Sequence, residues 1–151
     1  MQPAPDLDSG AAVTHLAFPA SPTAVRDNLA RMMAAMPLAG LSDSGRGIAE
    51  IVLAEVLNNI AEHAYAGQAG PVTVTLCDTA QGIGCLVVDH GAPMPGGTPP
   101  DGTLPPQTPA DLPEGGFGWH LIRSLTRDLD YARVAGANRL SFLLPRDAEM
   151  P

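Results

Sequence analysis

The sequence predicts an α+β fold: a two-layer α/β sandwich with a mixed, mostly antiparallel sheet and its helices on one face. Three observations predict it. Short apolar segments with strand-like character come in neighbouring pairs, at 72–76 with 85–89 and at 129–134 with 139–144. Two longer stretches carry apolar residues at helical spacing. The resulting order, β-α-α-β-β-loop-α-β-β, keeps hairpins apart from helices, as α+β sandwiches do.

The elements follow in chain order. Residues 1–11 read as a disordered tail and 12–146 as a single domain, with 147–151 a second tail. Val13-Thr14-His15-Leu16-Ala17-Phe18 alternates as a strand. Ser21-Pro22 opens a helix, Ser at the cap and Pro in the first turn. Its apolar positions include Val25, Leu29, Met32, Met33 and Met36, and Pro37 to Gly40 ends it. A second helix runs from about Arg46 to about Ala66, with Ile48, Ile51, Val52, Val56 and Ile60 at helical spacing. The first hairpin pairs 72–76 with 85–89 and turns over Asp78 to Gly84. Phe117 to Arg127 reads as a helix. The last two strands lie either side of Gly136-Ala137-Asn138, and Pro145 closes the fold.

Segment 91–116 differs in kind. It holds eight of the sixteen prolines and six of the sixteen glycines, and no Arg. A loop of that length inside a compact domain is usually a lid, a binding loop or a disordered insert.

Composition bounds the chemistry. The net charge of −8 argues against a nucleic-acid backbone or an anionic membrane as partner. All eight basic residues are Arg, which excludes a P-loop lysine, a Schiff-base lysine and the lysine of ordinary protein kinases. Phosphate chemistry here would rely on backbone amides, a metal and Arg. No stretch approaches the roughly 18 apolar residues of a membrane span, and Met1 to Gly10 does not read as a signal peptide. Cys77 and Cys85 flank the first hairpin in apolar strands. They read as reduced thiols of a cytoplasmic protein.

Three short boxes carry the functional signal. On the second helix Glu55, Asn59 and His63 recur at one-turn intervals and share a face. An amide oxygen suits a hydrated Mg²⁺, which keeps waters and substrate phosphates as its other ligands. That would leave Glu55 free to orient a hydroxyl and accept its proton. Glu62 and His63 also read as an ordinary solvated face. Asp89 ends an apolar strand and is followed by Gly91. A carboxylate there can accept a hydrogen bond from an exocyclic amine, and the glycine lets a flat ring approach; a turn-capping Asp is the plain alternative. Gly115-Gly116-Phe117-Gly118 opens a helix whose free amides can face phosphate. The plain alternative is a flexible loop end.

Together these boxes resemble the Bergerat-type (GHKL) ATP-binding fold shared by gyrase, histidine kinases and mismatch-repair ATPases. Within it the chain looks most like the anti-sigma-factor serine kinases of bacteria. The resemblance rests on Glu55 and Asn59 with His63-Ala64-Tyr65, on Asp89-His90-Gly91-Ala92-Pro93, and on Gly116-Phe117-Gly118-Trp119-His120-Leu121-Ile122. It covers roughly residues 12–145. It implies that Asn59 ligates Mg²⁺, that Glu55 is the base for a target serine, and that Asp89 reads adenine beside Gly91. It places His63, Gly115, Gly116, Phe117 and Gly118 around the nucleotide and makes 91–116 an ATP lid. The implied cofactors are ATP and Mg²⁺. The implied partners are an anti-sigma-factor antagonist, a sigma factor and a second copy of the chain. The chain departs from the pattern in its lid without Arg or Lys and in Trp119 and His120. Arg123 is a weak stand-in for the missing lid cation and reads first as a surface residue. A regulator that holds nucleotide and sequesters a partner without catalysis is therefore the alternative.

Overall fold

The computed structural model of the protein describes residues 13–100 and 116–147. The expected tail at 1–11, residues 101–115 of the loop and residues 148–151 lie outside them. Five strands form one sheet in the order β1-β2-β3-β5-β4. They are β1 (Val13–Pro19), β2 (Pro71–Thr79), β3 (Gly82–Asp89), β4 (Arg127–Val134) and β5 (Ala137–Leu144). The four pairings among the described residues are all antiparallel. Helices α1 (Pro22–Ala34), α2 (Asp43–Asn59) and α3 (Gly116–Leu125) complete an α+β fold.

Strand alternation sorts the sheet into two faces. Val72, Val74 and Leu76 of β2 share a face with Ile83, Cys85, Val87 and Asp89 of β3, and with Asn138, Leu140, Phe142 and Leu144 of β5. All of these are buried. Against them lie Ala49, Val52, Leu53, Val56 and Leu57 of α2, the central helix. The helical stripe is thus shifted from the expected one. Ile51 is 45% exposed, because the buried side of α2 runs through Val52 and Leu53 instead. Met36 is likewise exposed, since α1 stops at Ala34.

Local signals explain the helix starts. The Ser21 hydroxyl accepts the Ala24 amide at 3.2 Å, with Pro22 in the first turn. Ser42 caps α2 by accepting the Gly45 amide at 3.0 Å, so α2 begins three residues before Arg46. The Ser42 hydroxyl also donates to the Arg146 carbonyl at 3.0 Å, and Ser44 donates to Asp147 at 2.8 Å. Asp147, assigned to a tail from sequence, is therefore tied to α2.

The first hairpin is tighter than expected. Thr79 and Gly82 are paired, leaving Ala80 and Gln81 as the turn in place of 78–84. Cys85 pairs with Leu76, so Cys77 falls on the opposite face of the sheet. Alternation thus separates the two thiols; neither is in a disulfide, and both are buried. Burial pushes the Cys85 thiol well above its ordinary range. No helix among the described residues is long and apolar enough to cross a membrane.

Candidate functional site

Glu55 and Asn59 sit one turn apart on α2, and α3 brings Gly118 against both. A Cβ on Gly118 would stand 2.5 Å from Glu55 Oε2 and 3.9 Å from Asn59 Nδ2. With no side chain at Gly118, the Glu55 carboxylate can lie against the first turn of α3. Asn59 Nδ2 is buried and has no hydrogen-bond partner among the described residues. An unsatisfied buried amide costs about 1–3 kcal/mol, so it marks a place where a ligand or water belongs. Rotation of the amide would present its oxygen to the same spot.

Past Asn59 the helix widens into a π-helical turn, Ile60–Ala64, closed by Tyr65 N donating to Ile60 O at 3.0 Å. Such turns recur at functional sites. This one carries Ala64 to the end of β3, where its carbonyl accepts the Ala92 amide at 2.8 Å. A Cβ on Gly91 would be 2.4 Å from that carbonyl oxygen. The close approach at Gly91 is therefore to the protein's own backbone.

The widened turn also breaks the face predicted for His63. Its side chain is 66% exposed, with Glu62 3.9 Å away. No hydrogen bond or ion pair among the described residues joins it to Glu55, Asn59 or Gly118. A helical period cannot be carried across an extra residue per turn.

Tyr65 fastens the same region. Its hydroxyl donates to the Pro71 carbonyl at 2.6 Å and accepts the His90 amide at 2.8 Å. Burial raises its pKa above 10.0; the His90 contact opposes this, and the Asp89 charge adds to it. The fold thus favours the neutral phenol, and that contribution is complete below pH 10.0 and lost as pH rises above it. Tyr65→Phe should cost about 1–2 kcal/mol, or a melting temperature lower by about 4 °C. Thermal unfolding followed by circular dichroism checks this; an unchanged midpoint would remove the tether from the account.

Asp89 is 4% exposed at the end of β3, on the inward face. Its Oδ1 accepts the Gly91 amide at 2.9 Å and Asn138 Nδ2 at 2.8 Å. Its Oδ2 has no partner among the described residues.

Asn138, expected in a turn beside Gly136, is a further residue of this site. Asn138 belongs to β5, in phase with Leu140, Phe142 and Leu144, and that alternation was the available signal. Its Nδ2 also donates to the Ala92 carbonyl at 2.9 Å. Its Oδ1 accepts from the Tyr131 hydroxyl and from Arg133 Nη1, the latter at 3.0 Å. Arg133 Nη1 further donates to the Gly91 carbonyl at 2.6 Å, and Tyr131 accepts the Met94 amide at 3.0 Å. The β4–β5 hairpin thereby holds residues 91–94 beside Asp89.

Gly116 and Phe117 open α3 as expected; Gly115 lies outside the described residues. Trp119 and Ile122 seat α3 in the core, so Trp119 is a packing residue. Arg123 is engaged with the loop: Nε donates to the Pro100 carbonyl at 2.6 Å and Nη2 to the Pro99 carbonyl at 3.1 Å.

A family model described as histidine kinase-like ATPase domain matches residues 18–143. Among solved structures, the chain resembles that of the RsbU and RsbW domains of Rv1364c from Mycobacterium tuberculosis. The TM-score is 0.61 at 17% identity, over 89% of this chain and 32% of that one. The chain thus spans about a third of that protein's crystallised length, and the likeness speaks for the fold. A comparison with curated proteins yields no match. The family match takes in the α2 pair, the Asp89 strand end and the Gly118 turn, and on it the chain belongs to the histidine kinase-like ATPase domain family.

Proposed function

We propose that the protein is an ATP-binding serine kinase of the anti-sigma type, which phosphorylates a serine of an antagonist protein in a partner-switching circuit. The observation that carries this reading is the convergence of Glu55 and the unsatisfied Asn59 amide on Gly118, at the start of α3. In this reading Asp89 Oδ2 accepts the amine of adenine. The first amides of α3 face phosphate oxygens, where a helix N-terminus favours negative charge. Asn59 turns its amide oxygen toward a Mg²⁺, with the nucleotide's phosphates and water as the remaining ligands. Among the described residues no cluster of three His, Cys, Asp or Glu could hold a metal alone, so the phosphates would be needed. When bound, the ion neutralises phosphate charge. Glu55 holds the serine hydroxyl and takes its proton.

Calorimetric titration with ATP, with and without Mg²⁺, tests the pocket. Asn59→Ala should weaken Mg²⁺-dependent binding by about tenfold, the effect of one lost charge-assisted contact. Binding that ignores both the metal and the substitution would remove Asn59 from the site. Gly118→Ala should separate site from scaffold. The group it meets first is the tip of a flexible Glu55 side chain, which can swing aside. Stability should then change by less than about 1 kcal/mol, while phosphate transfer to an antagonist falls by about tenfold or more as Glu55 is displaced.

One observation favours a second reading, in which the protein holds nucleotide and sequesters its partner without transfer. Arg123 is occupied by the Pro99 and Pro100 carbonyls, and segment 91–116 contains no Arg or Lys. Incubation with labelled ATP and a purified antagonist decides between the two. ATP binding and a stable complex without label transfer would select the second.

A further inference from the structure

We propose, resting on the serine-kinase reading of Glu55, that the solvent face of α2 is a docking track for the segment that bears the acceptor serine. The track selects an apolar residue about two positions from that serine and a basic residue about four positions from it. Four large apolar side chains are exposed among the described residues, Val13, Met36, Ile51 and Val134, and of these only Ile51 lies on α2. Ile51 is 45% exposed. It sits one turn before Glu55, about 6 Å along the helix axis. A serine held at Glu55 must bring its chain neighbours over the surrounding surface. Gly118 closes the α3 side of Glu55, and Asn59, toward the C-terminus of α2, is given to the nucleotide. The open direction runs toward the N-terminus of α2.

That direction leads over Ile51 to Gly47. Gly47 is exposed within the helix, and a Cβ there would meet nothing within 4 Å. Glycine inside a helix is less stable than alanine, and no neighbour among the described residues requires it here. It suits a second chain lying flush on the helix. Gly47 lines a cleft of about 230 Å³ with Met33, Asp43, Arg46 and Glu50. Asp43 and Glu50 are exposed, and neither makes an ion pair among the described residues. Arg46 shares the cleft, but its Nη2 donates to the Met33 carbonyl at 3.1 Å. The cleft therefore keeps an acidic balance, which suits a Lys or Arg of the substrate. One extended segment fits this spacing. Gly47 stands about 12 Å from Glu55 along the axis, the length of about four extended residues. Alternate side chains of an extended chain share a face. The serine, the residue two away and the residue four away would thus meet Glu55, Ile51 and the cleft in turn.

The test is label transfer from ATP, by the intact chain, to a series of synthetic peptides built around one serine, with ATP affinity measured alongside. In the transfer the serine oxygen takes the γ-phosphoryl group, ADP leaves and the hydroxyl proton passes to Glu55. Peptides with Leu, Ile, Val or Met two residues from the serine should be labelled about fivefold faster than those with Ser or Asp there. Lys or Arg four residues away on the same side should add about threefold at low salt, and less as salt rises. Ile51→Ser should abolish the first preference and Glu50→Lys the second, both with wild-type ATP affinity. Gly47→Ala should raise the melting temperature yet slow transfer by about fivefold, because the added methyl lifts the segment off the helix. Equal labelling across the series, or preferences that persist in Ile51→Ser, would overturn the proposal. So would a Gly47→Ala variant that gains stability and loses no transfer. No label on any peptide, from a chain that binds ATP, would overturn recognition of a linear segment and leave the nucleotide pocket standing. No ATP binding would bring down the reading of the site as well.

Discussion

Glu55→Gln should reduce phosphate transfer to an antagonist serine by about 100-fold or more, with ATP still bound. Glutamine keeps the length and shape of the side chain, so it can occupy the same place beside Gly118. It cannot accept a proton. The substitution therefore removes the acid–base function while leaving the packing of α2 on α3 in place, which Glu55→Ala would not do. Label transfer and ATP affinity should be measured on the same preparation. Transfer at the wild-type rate would show that Glu55 is not the base. Loss of both transfer and ATP binding would make Glu55 a binding residue.

Asp89→Asn should weaken ATP binding by about 30- to 100-fold, equivalent to about 2–3 kcal/mol. Asparagine can keep its oxygen at the Oδ1 position, still accepting the Gly91 amide and Asn138 Nδ2. Its nitrogen would then replace Oδ2 and meet the adenine amine, donor against donor. The fold should survive because the internal network survives. Calorimetry with a melting curve alongside separates the two effects. A collapse of stability would place the main role of Asp89 in the network; full ATP affinity in a folded variant would show that Asp89 does not read the base.

Much of the fold is legible in local sequence. Ser21-Pro22 caps a helix by chemistry that needs no tertiary context, and alternation at 72–76 and 139–144 fixes which side chains point inward. Pairing across the α2 box was also legible for Glu55 and Asn59, since one straight helix carries both. The rest depends on contacts distant in sequence. The π turn after Asn59 is fastened by Ala64 and Tyr65 to residues around the end of β3, and nothing within 60–64 announces it. Asn138 meets Asp89 across 49 residues. From sequence it resembled a turn residue because Gly136 stands nearby. Arg123 reads as a surface cation from its helix alone; its engagement follows from where the loop passes at Pro99 and Pro100.

The π turn at Ile60–Ala64 has a consequence for deletions and insertions. Removing one residue there would let the helix continue as an unbroken α-helix, which by local propensity is no loss. A π turn takes up one extra residue within the winding of a single turn, so the chain beyond it would keep its direction, with Ala64 still facing Gly91 and Ala92 and Tyr65 still facing Pro71 and His90. Comparisons between this helix and uninterrupted ones therefore need a one-residue gap after Asn59. Without it, equivalent positions are matched one place out of step along the stretch that joins the Asn59 side of the site to Asp89.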